Sequence, residues 1–184
     1  MLVLHHDPTS PAAAVAVLRL QPLADAGAPV RFSGLDVLGL AVTIPPTLDL
    51  LAALEQHRDA AAALGLRMER PTRQPPTLDC HLLGELAEER GLGTAWRLAT
   101  LRGYWQDDRD LADHGQLCAI ARGVGLDEAE VLARLADGRA RADLRARMTA
   151  QRHRGIGGVP VLDVDGELVP ADLSDTDLAD LAWG

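Results

Sequence analysis

The chain has 184 residues, of which 47% are apolar, enough for one domain with a substantial core, and no apolar run approaches the ~20 residues that a membrane-spanning helix requires. Its net charge of −9 argues against nucleic acid or an anionic membrane as the main partner, because both select clustered positive charge. All eighteen basic residues are Arg, and neither Lys nor Asn occurs, which excludes any mechanism that needs a lysine.

Residues 2 to 5 read as a short buried strand, and Pro11 to about Ala26 as an alanine-rich helix carrying Leu18, Leu20 and Leu23. The run "PVRF", residues 29 to 32, predicts a second strand. The apolar segment "LDVLGLAVTIPPT" is broken by Gly39, Pro45 and Pro46, and its pairing is open. From Thr47 to about Gln151 the pattern is helical, interrupted by "GLRMERPTRQPPT" and by Gly91, Gly103 and Gly125. Asp127 is the expected cap of a helix that stops at Gly138. Arginines recur at helical intervals through residues 138 to 154, as on a solvated face. "GIGGVPVLDVDGELVP" then reads as strand, Asp-Gly turn and strand, and Ser174 to Ala182 as a closing helix. Strand, helix and strand, then about a hundred helical residues, then a hairpin and a helix: this order predicts an α/β thioredoxin-like fold with an all-helical insertion. The expected division is a thioredoxin-like domain over residues 1–45 and 146–184, with the insertion over 46–145.

Cys80 and Cys118 form no CxxC, zinc-ligand spacing or disulfide framework, and both lie in apolar helical patterns that suit buried, unreactive thiols. His5, His6 and Asp7 do not make a metal site, because adjacent strand residues point to opposite faces. One of the two histidines, taken here as His6, would face the helix that starts near Ser10 and is a candidate general base. No basic, apolar leader with a cleavage site is visible, so the cytoplasm is the expected address.

The segment "GIGGVPVLDVDG" resembles the Gly-Val-Pro, strand, Asp-Gly region of the DsbA-like thioredoxin superfamily, in which the proline is cis. "PTLDCHLLGELAEERGLG", with "GYWQDDRDLADHGQL" and "GLDEAEVLARLADG", is similar to the helical insertion of the FrnE branch. In redox members of that superfamily the first strand ends in Asp, followed closely by Cys-Pro-aromatic-Cys. Here Asp7, Ser10, Pro11, Ala12 and Ala13 stand in those places, so both exchange sulfurs are missing and a disulfide oxidoreductase is not expected.

Ser-Pro at this point resembles the 2-hydroxychromene-2-carboxylate isomerases and kappa-class glutathione transferases. That resemblance implies glutathione or another low-molecular-weight thiol as cofactor, a small electrophilic or apolar substrate, Ser10 as the donor to the thiolate, and Pro11, Val159 and Pro160 around its backbone. Ser174 and Asp175 would correspond to the Ser-Asp pair that meets the γ-glutamyl end, and a homodimer is common among such relatives. The other account is complete without a ligand: Ser10 is a preferred N-cap and Pro11 a preferred first helical residue, Ser174 or Asp175 caps the last helix, and His81 packs a helix. On that account the chain is a catalytically inactive binding or scaffold protein, and Ala12 and Ala13, in place of bulkier residues, fit it. Residual redox chemistry through Cys80 or Cys118 is a third reading.

Overall fold

Leu2 and Leu4 alternate with Val3 and His5, and this period of two builds β1 (Leu2–His6). The computed structural model describes residues 1–184. β1 lies between β2 (Val30–Gly34), to which it runs parallel, and β3 (Val161–Val164), to which it runs antiparallel. β4 (Glu167–Pro170) pairs antiparallel with β3, giving the sheet order β2-β1-β3-β4. Parallel neighbours need a crossover, which is α1 (Pro11–Asp25). The β3–β4 turn uses Asp165 and Gly166, whose φ values of 52° and 100° are the left-handed pair that a tight hairpin demands.

Six helices separate β2 from β3: α2 (Leu48–Ala63), α3 (Leu78–Glu89), α4 (Gly93–Trp105), α5 (His114–Gly123), α6 (Glu128–Ala136) and α7 (Gly138–His153). α8 (Asp175–Trp183) follows the hairpin. Asp127 caps α6 as expected, accepting from the Glu130 N–H. Gly138 plays a different part from the expected stop. Asp137 leaves the helical conformation at ψ 94° and accepts from the N–H groups of Arg139 and Ala140, so it ends α6 and caps α7, and Gly138 is the first residue of the next helix. Only Leu144 and Met148 of α7 are buried, and its arginines lie half-buried or exposed around them.

The larger apolar core joins Leu2, Leu4 and Leu162 of the sheet to Val17 and Leu20 of α1, and continues into Leu54, Leu83, Trp96 and Trp105 of the helical segment and Leu178 of α8. Sheet and helices therefore share one core. Residue 46 precedes α2, and residue 145 lies inside α7. On the other face a smaller cluster of Leu35, Leu82, Leu144, Met148 and Ile156 packs with Leu78, Val159 and Val161. That cluster seats the segment before β3 against α3 and α7. No helix is long and apolar enough to cross a membrane.

Candidate functional site

Asp7 organises the turn from β1 into α1. Its side chain is fully buried, and its Oδ1 accepts from the Thr9 N–H and the Thr9 hydroxyl, both at 2.8 Å. Its Oδ2 accepts from the Val37 N–H after β2 and from the Thr77 hydroxyl at the start of α3, again at 2.8 Å each. The Ser10 N–H donates to the Asp7 carbonyl at 3.1 Å. One carboxylate thus ties three chain segments together beneath the start of α1, at the end of the sheet where β1 and β2 terminate.

Ser10 caps α1 with Pro11 behind it, its Oγ accepting from the Ala13 N–H at 3.3 Å. The same hydroxyl donates to the Val159 carbonyl over a long 3.4 Å, and the Val159–Pro160 peptide is cis. The structure therefore brings Ser10, Pro11, Val159 and Pro160 together. No hydrogen bond within the chain uses the Val159 N–H. Ala13 is buried and Ala12 half-buried, and neither position offers a side-chain heteroatom beside Ser10. A hydroxyl at the N-terminal end of a fifteen-residue helix, among N–H groups with no helical acceptor, is suited to stabilise an anion.

Ser174 and Asp175 do not join this group by any hydrogen bond. Ser174 caps α8, accepting from the Asp177 N–H at 3.1 Å and donating to the Asp177 carboxylate at 2.6 Å. Asp175 accepts from Arg19 Nε at 2.7 Å. Arg19 starts about 13 Å along α1 from Ser10 at 1.5 Å per residue. Ser174 therefore starts α8, and Asp175 fastens that helix to the middle of α1.

His6 likewise makes no hydrogen bond to Ser10. Its ring lies 6.0 Å from Phe32 and 5.7 Å from His81, edge-on to both. These rings line a small cavity of about 80 Å³ with Pro8, Cys80, Glu85, Glu88 and Arg97, and Ser10 is not in its wall. Burial holds the His6 imidazole well below its ordinary pKa, and the positive charges of His81, Arg97 and His5 act in the same sense. Burial likewise lowers His81, against the pull of Asp7, Asp36 and Glu85. His81 fits because residue 34 is glycine: a Cβ there would stand 2.2 Å from His81 Nδ1. His5 occupies the opposite face, in register with Val161 and 4.0 Å from Asp163, as strand alternation requires. Cys80 is buried, and burial, then the charges of Asp7 and Asp79, push its thiol up; Cys118 is half-buried.

Sequence reasoning missed the partners of Asp7. Thr9 stands at the Asx-turn spacing from it and could have been found, but Val37 and Thr77 are distant in sequence. It also missed Asp36, a buried carboxylate accepting from the N–H groups of Leu38 and Gly39 at 3.2 Å each. Burial and neighbouring Asp7 raise its pKa.

With this geometry in place, a family profile described as the DSBA-like thioredoxin domain matches residues 47–181. Among solved structures, the chain is similar to a probable DsbA oxidoreductase from Streptomyces coelicolor, at 27% identity and a TM-score of 0.79 over 98% of this chain and 88% of that one. A 2-hydroxychromene-2-carboxylate isomerase superposes with a TM-score of 0.73 at 16% identity, over 92% and 87% of the two chains. The cytosolic disulfide reductase DsbM from Pseudomonas aeruginosa, solved with GSH, superposes with a TM-score of 0.71 at 19% identity, over 97% and 95%. The last two likenesses speak to the fold alone. Among curated protein sequences, none matches significantly.

Proposed function

The chain belongs to the DsbA-like thioredoxin family, and from that membership, together with a sulfur-free active turn, we propose that it is a thiol-dependent transferase or isomerase of the glutathione type that works through Ser10. The observation that carries this reading is the meeting of the Ser10 hydroxyl, the start of α1 and the backbone of Val159 beside cis Pro160. A low-molecular-weight thiol bound there would supply the sulfur nucleophile that the chain itself lacks. Ser10 turns its hydroxyl proton from the Val159 carbonyl toward the thiolate, and the start of α1 adds its positive field, so the anionic form is favoured at neutral pH. Val159 offers a free N–H and a carbonyl, the pair of groups that an extended peptide-like ligand takes in strand fashion. Asp7 holds the Thr9–Ser10 turn and so sets the direction of the hydroxyl.

The relatives supply context. One neighbour is named as an isomerase and another as a cytosolic disulfide reductase solved with GSH, and a reducing cytoplasm, where such thiols stay reduced, is the setting this chemistry needs. The second reading, a binding protein without turnover, draws on one observation: the Ser10 hydroxyl is already satisfied on both sides, by Ala13 and Val159.

Conjugation of glutathione to 1-chloro-2,4-dinitrobenzene separates the two. The transferase reading expects turnover above the uncatalysed rate and a drop in kcat/KM of at least about tenfold in Ser10→Ala, the worth of one charge-assisted hydrogen bond. Equal rates in the two proteins would remove Ser10 from the mechanism.

A further inference from the structure

The register of the sheet puts Val3, His5, Arg31, Ser33, Val161 and Asp163 on one face, opposite the face of Leu2, Leu4 and Leu162 that enters the larger core. Most of these six are polar, and the helices above them close over the face without filling it. Arg147, Gln151 and Arg154 come from one side of α7 and its C-cap, at helical spacing. Glu85, Glu88 and Glu89 come from the C-terminal half of α3. Between helices and strands lies a cleft of about 560 Å³, and Ser10, Val159 and Pro160 are not in its wall.

This cleft concentrates unmet hydrogen-bonding capacity. Five buried side-chain nitrogen or oxygen atoms of the chain have no hydrogen-bond partner, and three of them stand in its wall: both ring nitrogens of His5, and Gln151 Oε1. His5 is only 3% exposed. The carboxylate nearest to it, Asp163, stops 4.0 Å from Nε2 and is held by Arg154 Nη2 at 2.7 Å and by the Gly166 N–H at 2.8 Å. Gln151 Nε2 donates to the Ser33 hydroxyl oxygen at 2.7 Å, which leaves Gln151 Oε1 open and the Ser33 proton uncommitted. Burial lowers the His5 pKa, against the pull of Asp163 and with the repulsion of Arg154. At and above neutral pH the uncharged ring therefore predominates, with one nitrogen a donor and the other an acceptor. The charges around these groups balance: Glu85, Glu88 and Glu89 pair with Arg147, Arg97 and Arg134, and Arg31, which has no carboxylate partner, is exposed to solvent.

We infer that this cleft is a second small-molecule site and that it takes an uncharged polyhydroxylated molecule of the sugar type, whose hydroxyls pair with His5, Ser33 and Gln151. The open groups are close together, since Ser33 and His5 are register partners on β2 and β1 and Gln151 stands on Ser33. They are also of both kinds. A carboxylate or phosphate brings acceptors alone, and would set negative charge against Gln151 Oε1 and the bare imidazole nitrogen. An ammonium brings donors alone, and leaves the His5 N–H and the Ser33 O–H unmet. A hydroxyl donates and accepts at once, and neighbouring hydroxyls on one small frame reach several such groups together. The cleft and the Ser10 turn share no wall residue, so this site stands or falls apart from the thiol reading.

Imidazole NMR tests it, because the chain has only six histidines and His5→Gln identifies the His5 signals by their loss. Titration with D-glucose, D-ribose, myo-inositol and trehalose at millimolar concentrations should shift the His5 signals saturably with at least one of these polyols, whereas acetate and methylammonium should leave them in place. Calorimetry with the polyol that binds should show an affinity at least about tenfold weaker in His5→Leu and in Gln151→Leu, each of which strands hydroxyls of the ligand. Should His5→Leu fail to fold, Gln151→Leu carries the comparison. Ser10→Ala should bind the polyol as wild type does. No shift with any of the polyols, a shift matched by acetate or methylammonium, or an affinity unchanged in Gln151→Leu would overturn the inference and leave the cleft to solvent. Loss of binding in Ser10→Ala would move the polyol to the thiol site and overturn the placement. Polyol binding in a protein that fails to respond to glutathione would remove the thiol reading and leave this site standing.

Discussion

Replacing Asp7 by Ala removes the acceptor for four donors at once: the Thr9 N–H, the Thr9 hydroxyl, the Val37 N–H and the Thr77 hydroxyl. Thr9 and Thr77 are at most 1% exposed, so water reaches their hydroxyls only by entering the space the carboxylate leaves. An unsatisfied buried donor costs about 1–3 kcal/mol, and with partial relief by entering water the sum comes to roughly 4 kcal/mol. Against a total stability of about 5–15 kcal/mol this is a large fraction, and for a domain of this size it corresponds to a fall in Tm of roughly 8–16 °C. Urea unfolding of Asp7→Ala, Thr77→Val and the double variant checks the account. Once Thr77 lacks its hydroxyl, loss of the Asp7 carboxylate strands one donor fewer, so the double variant should be less destabilised than the two singles added together, with a coupling of about 1–2 kcal/mol. A loss below about 1 kcal/mol in Asp7→Ala, or strict additivity with Thr77→Val, would refute the view that this carboxylate ties the three segments.

Gly34→Ala should be strongly destabilising, by about 1–3 kcal/mol or more, because its Cβ would overlap the His81 ring, and combining it with His81→Ala should recover much of that loss; Tm values of the two singles and the double are the readout, and a Gly34→Ala protein as stable as wild type would contradict the packing. Stability should also fall on mild acidification. His5, His6 and His81 all have pKa values below the ordinary 6.5 in the folded state, chiefly through burial, so below that pH the unfolded chain binds more protons than the folded one. Their contribution is complete above pH 6.5 and is lost as pH falls from there toward the folded values. Asp36, raised in the folded state, acts in the opposite sense. Tm measured from pH 7.5 to 5 should decline, and His6→Gln should flatten the decline; a Tm that rises over this interval would be inconsistent with imidazoles whose pKa burial lowers.

The sheet was legible because its strands announce themselves locally: a period of two in Leu2 to His5, and Asp165–Gly166 between two short apolar runs. The Ser10–Pro11 start of α1 was legible for the same reason, since capping is written in adjacent residues. What required the structure was contact between distant segments. The stretch from Leu35 to Thr47 has no strand periodicity, and it is anchored by the Val37 N–H on Asp7 and by one antiparallel bridge between Ile44 and Gln74. His6 looked available to Ser10 along the strand, yet its ring packs between Phe32 and His81, which no local pattern predicts. Gly138 read as a stop because Asp137 can end one helix and cap the next without any intervening loop. Arg145 and Arg152 read as a solvated face, and only the segment after β2, more than a hundred residues earlier, turns that face into a groove.

The central claim, that Ser10 and the start of α1 hold a thiolate, is tested most directly by thermal unfolding in the presence of increasing glutathione and other low-molecular-weight thiols, with Ser10→Ala alongside. A thiol that binds only the folded chain stabilises it by about 2.7 kcal/mol at a hundredfold excess over Kd, which for a domain of this size is a rise in Tm of roughly 5–11 °C. The account predicts a saturable rise of that order with at least one thiol, displaced to higher concentration in Ser10→Ala. No rise with any thiol, or an identical titration in the variant, would contradict it and leave Ser10 as the cap of α1.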